Sequence, residues 1–349
     1  MSTAGNALPD WTRAFGEPLY VATIRQSPSD FCVTENLAIE FSGDGEHDYL
    51  SIEKTRANTQ WVARQIARHA GVRSSDVGFA GLKDRHAVTR QWFSVPRKGQ
   101  AVDWGEFACD GVEILDVVRH QRKLRRGAHK SNSFRVALRA TSNLPEVRVV
   151  EERLMRISTS GVPNYFGPQR FGHNASNLEL ARQLFGGKRL HRDRRSIAIS
   201  AARSYLFNEI LSARVRDESW NRVLPGELAN LDGSGSVFQV DEPDEEIQCR
   251  CAEMDIHPTA TLWGSRSEIT PGAIADVERD ATDAHSDLKV GLERLSVKAS
   301  HRALRLRVQN LSWHFEDDTL WLDFTLAKGA FATSVLRELA GVQSARSNT

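Results

Sequence analysis

Hydrophobic periodicity switches twice along the chain, and this limits the possible folds more than any other feature. "LYVATIRQSPSDFCVTENL" (residues 19–37) alternates apolar and polar residues on both sides of a Ser-Pro-Ser-Asp turn, which predicts two extended segments. "SGDGEHDYLSIEKT" (42–55) reads as a loop entering a strand. "NTQWVARQIARHAG" (58–71) predicts a helix with Asn58 or Thr59 as cap and Gly71 as stop. "TRQWFSVP" (89–96) and "SFRVALRA" (133–140) return to strand patterning. From about residue 147 the period lengthens to that of a helix through "VRVVEERLMRIS", "NLELARQLFGG" and "SIAISAARSYLFNEILSARVRD". Ala202, Leu206, Ile210 and Ala213 fall on one face of the last. "NLDGSGSVFQV" (230–240) and "GSRSEITPG" (264–272) carry loop residues, strands resume over 304–326, and "TSVLRELAGV" (333–342) predicts a closing helix capped by Thr333 or Ser334 and stopped by Gly341. A β, helical, β order without internal repeats is read as one domain split by an inserted one.

At 349 residues, both parts have enough chain to bury a core. No apolar run reaches about 18 residues and the first residues lack a signal pattern, so a cytoplasmic protein without membrane contact is expected. Cys32, Cys109, Cys249 and Cys251 match neither a disulfide framework nor a paired zinc motif, and the histidines form no H-E-x-x-H pattern. No metal is expected.

The net charge of +1 conceals a strong asymmetry. "RHQRKLRRGAHK" (119–130) holds four Arg, two Lys and two His with no acid, and "KRLHRDRR" (188–195) holds five bases against one Asp, while acids collect in "DEPDEE" (241–246). Each block can be a solvated loop, but two such blocks with aromatics nearby favour a polyanionic partner.

"FAGLKDRHAVTRQWFSVP" (79–96) places Asp84 between Lys83 and Arg85. If those cations face it, the carboxylate stays ionised and suits a nucleophile or base; the alternative is a turn aspartate bonded to its own backbone. "SNSFRV" (131–136) sets Asn132, whose amide can read a base edge, two residues before Phe134, whose ring can stack, and on a strand these share a face. Phe31 and Phe331 stand beside turn residues, and "PNYFGPQRFG" (163–172) packs three aromatics with Gln169 and Arg170. Aromatic, amide and basic groups together suit a splayed-out base, although each ring is also an ordinary core candidate.

"FAGLKDRHAVTRQW", "KLRRGAHKSNSF", "VPNYFGPQRFG", "AARSYLFNEI" and "GAFATSVLREL" together resemble, in order and over nearly the whole chain, the signature segments of the tRNA pseudouridine synthase D (TruD) family. The resemblance implies an α+β fold: a catalytic domain with a mixed, largely antiparallel sheet, formed by residues 1–158 and 305–349 around an inserted α/β domain at 159–304. It implies isomerisation of uridine 13 in the tRNA D arm to pseudouridine, without metal, nucleotide or redox cofactor. By the same resemblance Asp84 is the nucleophile, attacking either the ribose C1′ or the uracil ring. Arg25 takes the place of a family lysine that pairs with it, which keeps the charge but alters the donor geometry. Phe31, Asn132 and Phe331 line the pocket for the flipped uridine and Phe134 stacks on it, with Ser131 and Ser133 in place of small Gly and Ala. Glu35 lies on the same segment as Phe31. Lys83, Arg122, Lys123, Arg125, Arg126, Lys130 and Arg170 are the basic groups expected on the RNA. The expected partner is tRNA, met by a monomer with no obligatory protein partner. Two other classes compete: a non-catalytic RNA-binding protein, and a retaining glycoside hydrolase with Glu35 or Asp48 as the second carboxylate.

Overall fold

The structure, a computed structural model, describes residues 8–97, 99, 101–265 and 273–344. The chain divides into two compact units, each assembled from separated stretches. One joins Leu19–Val147, Val308–Gly329 and Ala340–Thr349; the other joins Met1–Pro18, Arg148–Arg307 and Ala330–Leu339.

In chain order the first stretch holds β1 (Tyr20–Ile24), β2 (Phe31–Leu37), β3 (His47–Thr55), α1 (Thr59–His69), β4 (Gly78–Phe79), β5 (Val88–Pro96), β6 (Val112–His120) and β7 (His129–Ala140). There follow α2 (Val147–Ser160), β8 (Val162–Pro163), α3 (Ser176–Phe185), α4 (Arg192–Arg216), β9 (Glu227–Leu231), β10 (Val237–Val240), α5 (Glu245–Ala252) and β11 (Ile256–Leu262). The chain closes with α6 (Ala273–Thr282), α7 (Ser286–Arg294), β12 (Ser300–Ala303), β13 (Arg305–Leu306), β14 (Gln309–Glu316), β15 (Thr319–Ala327), α8 (Ala332–Leu336) and β16 (Ala340–Ser344).

The first unit is built on a sheet of ten strands whose main path runs β14-β15-β7-β2-β5-β3-β6, with β1 joining β7 to β16 and β4 lying on β5. Two pairings, β1 with β16 and β2 with β5, are parallel and the others antiparallel. The sheet is thus mixed and largely antiparallel, as the resemblance implied. Asn58 caps α1 by accepting from Gln60 N, and Gly71, at φ 64°, follows its end. Val62, Ala63, Ile66 and Ala67 of that helix pack on Leu50, Ile52, Phe93 and Val95 of the sheet. Burying each large apolar side chain there contributes roughly 1.5–3 kcal/mol.

The register then carries the same sheet face toward chemistry. Leu50 pairs with Phe93, Ile52 with Gln91 and Lys54 with Thr89. Thr89 pairs with Val33, Val33 with Phe134 and Phe134 with Phe324. One row of side chains, Lys54-Thr89-Val33-Phe134-Phe324, therefore crosses five strands on one face.

In the second unit a four-stranded sheet, β10-β9-β11-β12, and the two-stranded β13-β8 accompany the helices. Three expectations need correction. The single apolar face expected for α4 understates it: α3, α6, α7 and β11 pack around the helix, and even Arg214 is buried, its guanidinium 2.9 Å from Glu227. "NLDGSGSVFQV" is not all loop, because β9 and β10 pair with Leu228 opposite Gln239 and only the Gly-Ser stretch turns. The closing helix ends at Leu336, with Phe331 at its N-cap, and Gly341 lies inside β16, opposite Val21 of β1. Parallel pairing there overrides the helical period. Of "GSRSEITPG", residues 266–272 lie outside the described residues. Among the described residues no helix is long and apolar enough to cross a membrane, and no three His, Cys, Asp or Glu group as metal ligands.

Candidate active site

Asp84 sits in the loop between β4 and β5. That loop follows a close approach: a Cβ on Gly78 would collide with the Leu124 carbonyl and, at 2.5 Å, with Ser94 Oγ. Three buried side chains then fix the backbone on either side of Asp84. Gln91 Nε2 donates to Gly81 O at 3.3 Å, Thr59 Oγ1 accepts from Lys83 N at 3.0 Å, and Lys54 Nζ donates to Asp84 O at 3.0 Å. Thr59 Oγ1 also donates to Gln91 Oε1 at 2.9 Å, which ties two of these supports together. A loop held at three backbone groups by buried partners positions its side chain with little freedom.

The Asp84 carboxylate is 26% exposed and both oxygens are engaged. Oδ2 lies 2.8 Å from Arg25 Nη2, and Oδ1 accepts from His86 N at 2.9 Å, the local bond of an aspartate turn. The catalytic and turn readings of this residue are therefore both satisfied at once. Arg25 follows the last residue of β1 and is held at φ 62°, a left-handed conformation that costs a non-glycine residue about 1–2 kcal/mol. Its guanidinium lies 4.1 Å from the Phe31 ring centroid, so one cation braces the carboxylate and caps an aromatic.

Phe31 meets Phe134 edge-on at 6.1 Å, and Phe134 stacks on Phe324 at 5.3 Å. Asn132, opposite Glu35 on β2, shares the face of Phe134. Its Oδ1 is buried and accepts no hydrogen bond among the described residues. Ser131 and Ser133 point the other way, where Asn36 Nδ2 donates to both hydroxyls at 3.1 and 2.9 Å. Their difference from Gly and Ala is thus absorbed behind the sheet, away from Asn132.

The structure brings Asp84, Arg25, Phe31, Asn132 and Phe134 into one unit. Lys83 turns from Asp84 to form a 2.7 Å ion pair with Glu35, its side chain only 7% exposed. Asp48 accepts from Trp104 Nε1 at 3.0 Å. Arg122, Lys123, Arg125, Arg126 and Lys130 are exposed, Arg126 lying over the Phe79 ring at 3.4 Å and Lys123 Nζ donating to Ser75 O at 2.7 Å. Phe331 and Arg170 belong to the other unit, where Phe331 lies 6.1 Å from Phe166 and the Arg170 guanidinium is 5.3 Å from the same ring.

Lys54, Thr59 and Gln91 escaped the sequence reading as functional groups. Lys54 did leave a signal, since it continues the apolar Leu50, Ile52 face of β3 where an unpaired lysine does not belong. Burial pushes its ammonium down to about 8, with the Asp84 charge pulling it back up and Lys83 pushing it further down. The folded value lies below the unfolded one, so between about pH 8 and 10.5 the unfolded chain binds a proton that the folded chain does not. Stability from this group therefore rises with pH across that window, by about 1 kcal/mol per pH unit. Urea unfolding of the wild type and of Lys54→Met at pH 7.5 to 10 is expected to show that increment only in the wild type; parallel curves would refute it.

Comparisons with known proteins agree with this geometry. The family model for tRNA pseudouridine synthase D (TruD) matches residues 15–185 and 186–339. The chain belongs to the TruD family. A tRNA pseudouridine synthase D from Methylococcus capsulatus is 46% identical over 334 residues, covering 95% of this chain and 94% of that protein. Another TruD protein, from Psychrobacter arcticus, is 43% identical over 366 residues, covering 92% and 91%. A crystal structure from Methanosarcina mazei, described as a tRNA pseudouridine synthase D, superposes with a TM-score of 0.75 over 97% of each chain, and at 20% identity it supports the TruD fold alone.

Proposed function

We propose that this chain is a tRNA isomerase that converts uridine 13 of the D arm to pseudouridine. The observation that carries this reading is a carboxylate, Asp84, on a loop fixed by Lys54, Thr59 and Gln91 and paired at 2.8 Å with Arg25 in the unit that holds Phe31, Phe134 and the open acceptor of Asn132. The Arg25 charge favours the ionised carboxylate, which is the nucleophilic form. Asp84 attacks the ribose C1′ or the uracil ring; the N-glycosidic bond breaks, the uracil turns and C1′ rejoins it through C5. Atoms and oxidation state balance without a co-reactant, so the reaction calls for no metal, nucleotide or redox cofactor.

A uridine within folded tRNA must first be unstacked, at a cost of a few kcal/mol. Phe134 and Phe31 offer aromatic surface to the extruded base, and Asn132 Oδ1 an acceptor for its imino proton. Phe331 and Arg170 contact the substrate from their own unit. Arg122, Lys123, Arg125, Arg126 and Lys130 take phosphates, while Lys83 acts through its pairing with Glu35. The catalytic domain is residues 1–158 with 305–349, interrupted by 159–304, and the protein works as a cytoplasmic monomer on tRNA alone.

Incubation with unmodified tRNA transcripts, followed by carbodiimide-blocked primer extension, is expected to give a new stop at uridine 13. Stops at other positions only, or none across a full set of transcripts, would overturn the assignment.

A further inference from the structure

The unit that contains α4 holds a cleft of about 540 Å³ that the reading above leaves unused. Phe166, Ile199 and Leu262 form its apolar side, Arg192, Arg195 and Arg203 its basic side, and no carboxylate lines it. Arg192 and Arg195 stand one turn apart at the start of α4, both exposed, and neither is paired with a carboxylate among the described residues. Arg203 is held differently. Its Nη2 donates to Leu262 O, Lys298 O and Ser300 Oγ at 2.9 to 3.1 Å, so its guanidinium is fixed at the wall before any ligand arrives. Its Nε is buried without a partner among the described residues. Behind the floor, the Arg302 guanidinium lies 4.3 Å from the Phe166 ring, and Arg170 Nη1 donates to Ser200 Oγ at 2.9 Å.

A recess with guanidinium groups and no acid concentrates anions. A small inorganic anion makes no use of an apolar floor, whereas a nucleotide uses both parts: its phosphate meets the arginines and its base the hydrophobic wall. The volume falls within the range of sites that enclose a ligand of that size. We propose that this cleft is a subsite for one unpaired nucleotide of the RNA substrate, with its phosphodiester between Arg192 and Arg195, Arg203 behind it, and its base on Phe166, Ile199 and Leu262. The proposal rests on the RNA-modifying reading and deepens it, since it gives the enzyme a point of recognition apart from Asp84.

The test compares the full chain with Arg192→Ala/Arg195→Ala, using a fluorescent unmodified tRNA transcript at several salt concentrations. The two side chains are exposed, so the fold is retained. Affinity is expected to fall by about tenfold or more, and the slope of log affinity against log salt to become shallower by about 2. The catalytic loss appears in KM, and Arg192→Lys/Arg195→Lys restores the salt slope. An alanine variant with wild-type affinity and slope overturns the subsite even if the wild type makes pseudouridine. If the wild type makes none while the alanine variant still loses affinity and slope, the subsite stands and the isomerase assignment falls.

Discussion

Asp84→Asn is expected to bind tRNA with nearly wild-type affinity and to form pseudouridine about 10⁴-fold more slowly or worse, the scale of loss when a nucleophile is removed. The substitution is close to isosteric. Asparagine Oδ1 can still accept from His86 N, which holds the turn, and the Lys54, Thr59 and Gln91 supports act on backbone groups and on neighbours, not on the carboxylate. What is lost is one charge and its 2.8 Å pairing with Arg25, and for a carboxylate 26% exposed that pairing is worth at most about 1 kcal/mol. Stability and activity should therefore separate: unfolding midpoints within a degree or two, single-turnover rates apart by orders of magnitude. Activity within tenfold of wild type would remove Asp84 from the role of nucleophile.

The same residue shows how far the sequence could be read. Motif spacing located Asp84, and strand alternation correctly placed Asn132 and Phe134 on one face, because both are properties of short stretches of chain. The cations around Asp84 were not legible from its neighbours. Lys83, adjacent in sequence, faces Glu35, whereas Arg25 and Lys54 arrive from 59 and 30 positions away through sheet pairing. Arg25 was found only because a family resemblance pointed to it. Lys54 was missed although a lysine on an apolar strand face is a visible anomaly. The end of the chain failed for a related reason: Ala340–Ser344 has no strong local preference, and its pairing with β1 makes it a strand. Where long-range register decides, a local pattern carries no signal.

The Glu35 and Lys83 pair shows the same dependence in energy terms. Both side chains are buried at a separation of 2.7 Å, and Glu35 Oε1 also accepts from Trp92 N at 3.3 Å. The imidazole of His129, on which Lys83 acts, is pushed down by burial and then by Lys83 itself, so it stays neutral and supplies no countercharge. Glu35→Gln keeps the shape and an acceptor for Trp92 but strands the Lys83 ammonium, an arrangement that costs about 3–5 kcal/mol. Lys83 is the residue next to Asp84, and an ammonium without Glu35 competes with Arg25 for the only nearby carboxylate on the loop. Glu35→Gln is thus expected to lower the unfolding midpoint in urea and to slow pseudouridine formation together. Glu35→Gln/Lys83→Met, which removes the stranded charge as well, is expected to recover most of the stability, because a buried pair contributes little net beyond an uncharged replacement while half a pair is a liability. If the double variant were no more stable than the single one, the ion pair would not be what holds Lys83 away from Asp84, and the assignment of Lys83 to Glu35 would fail with it.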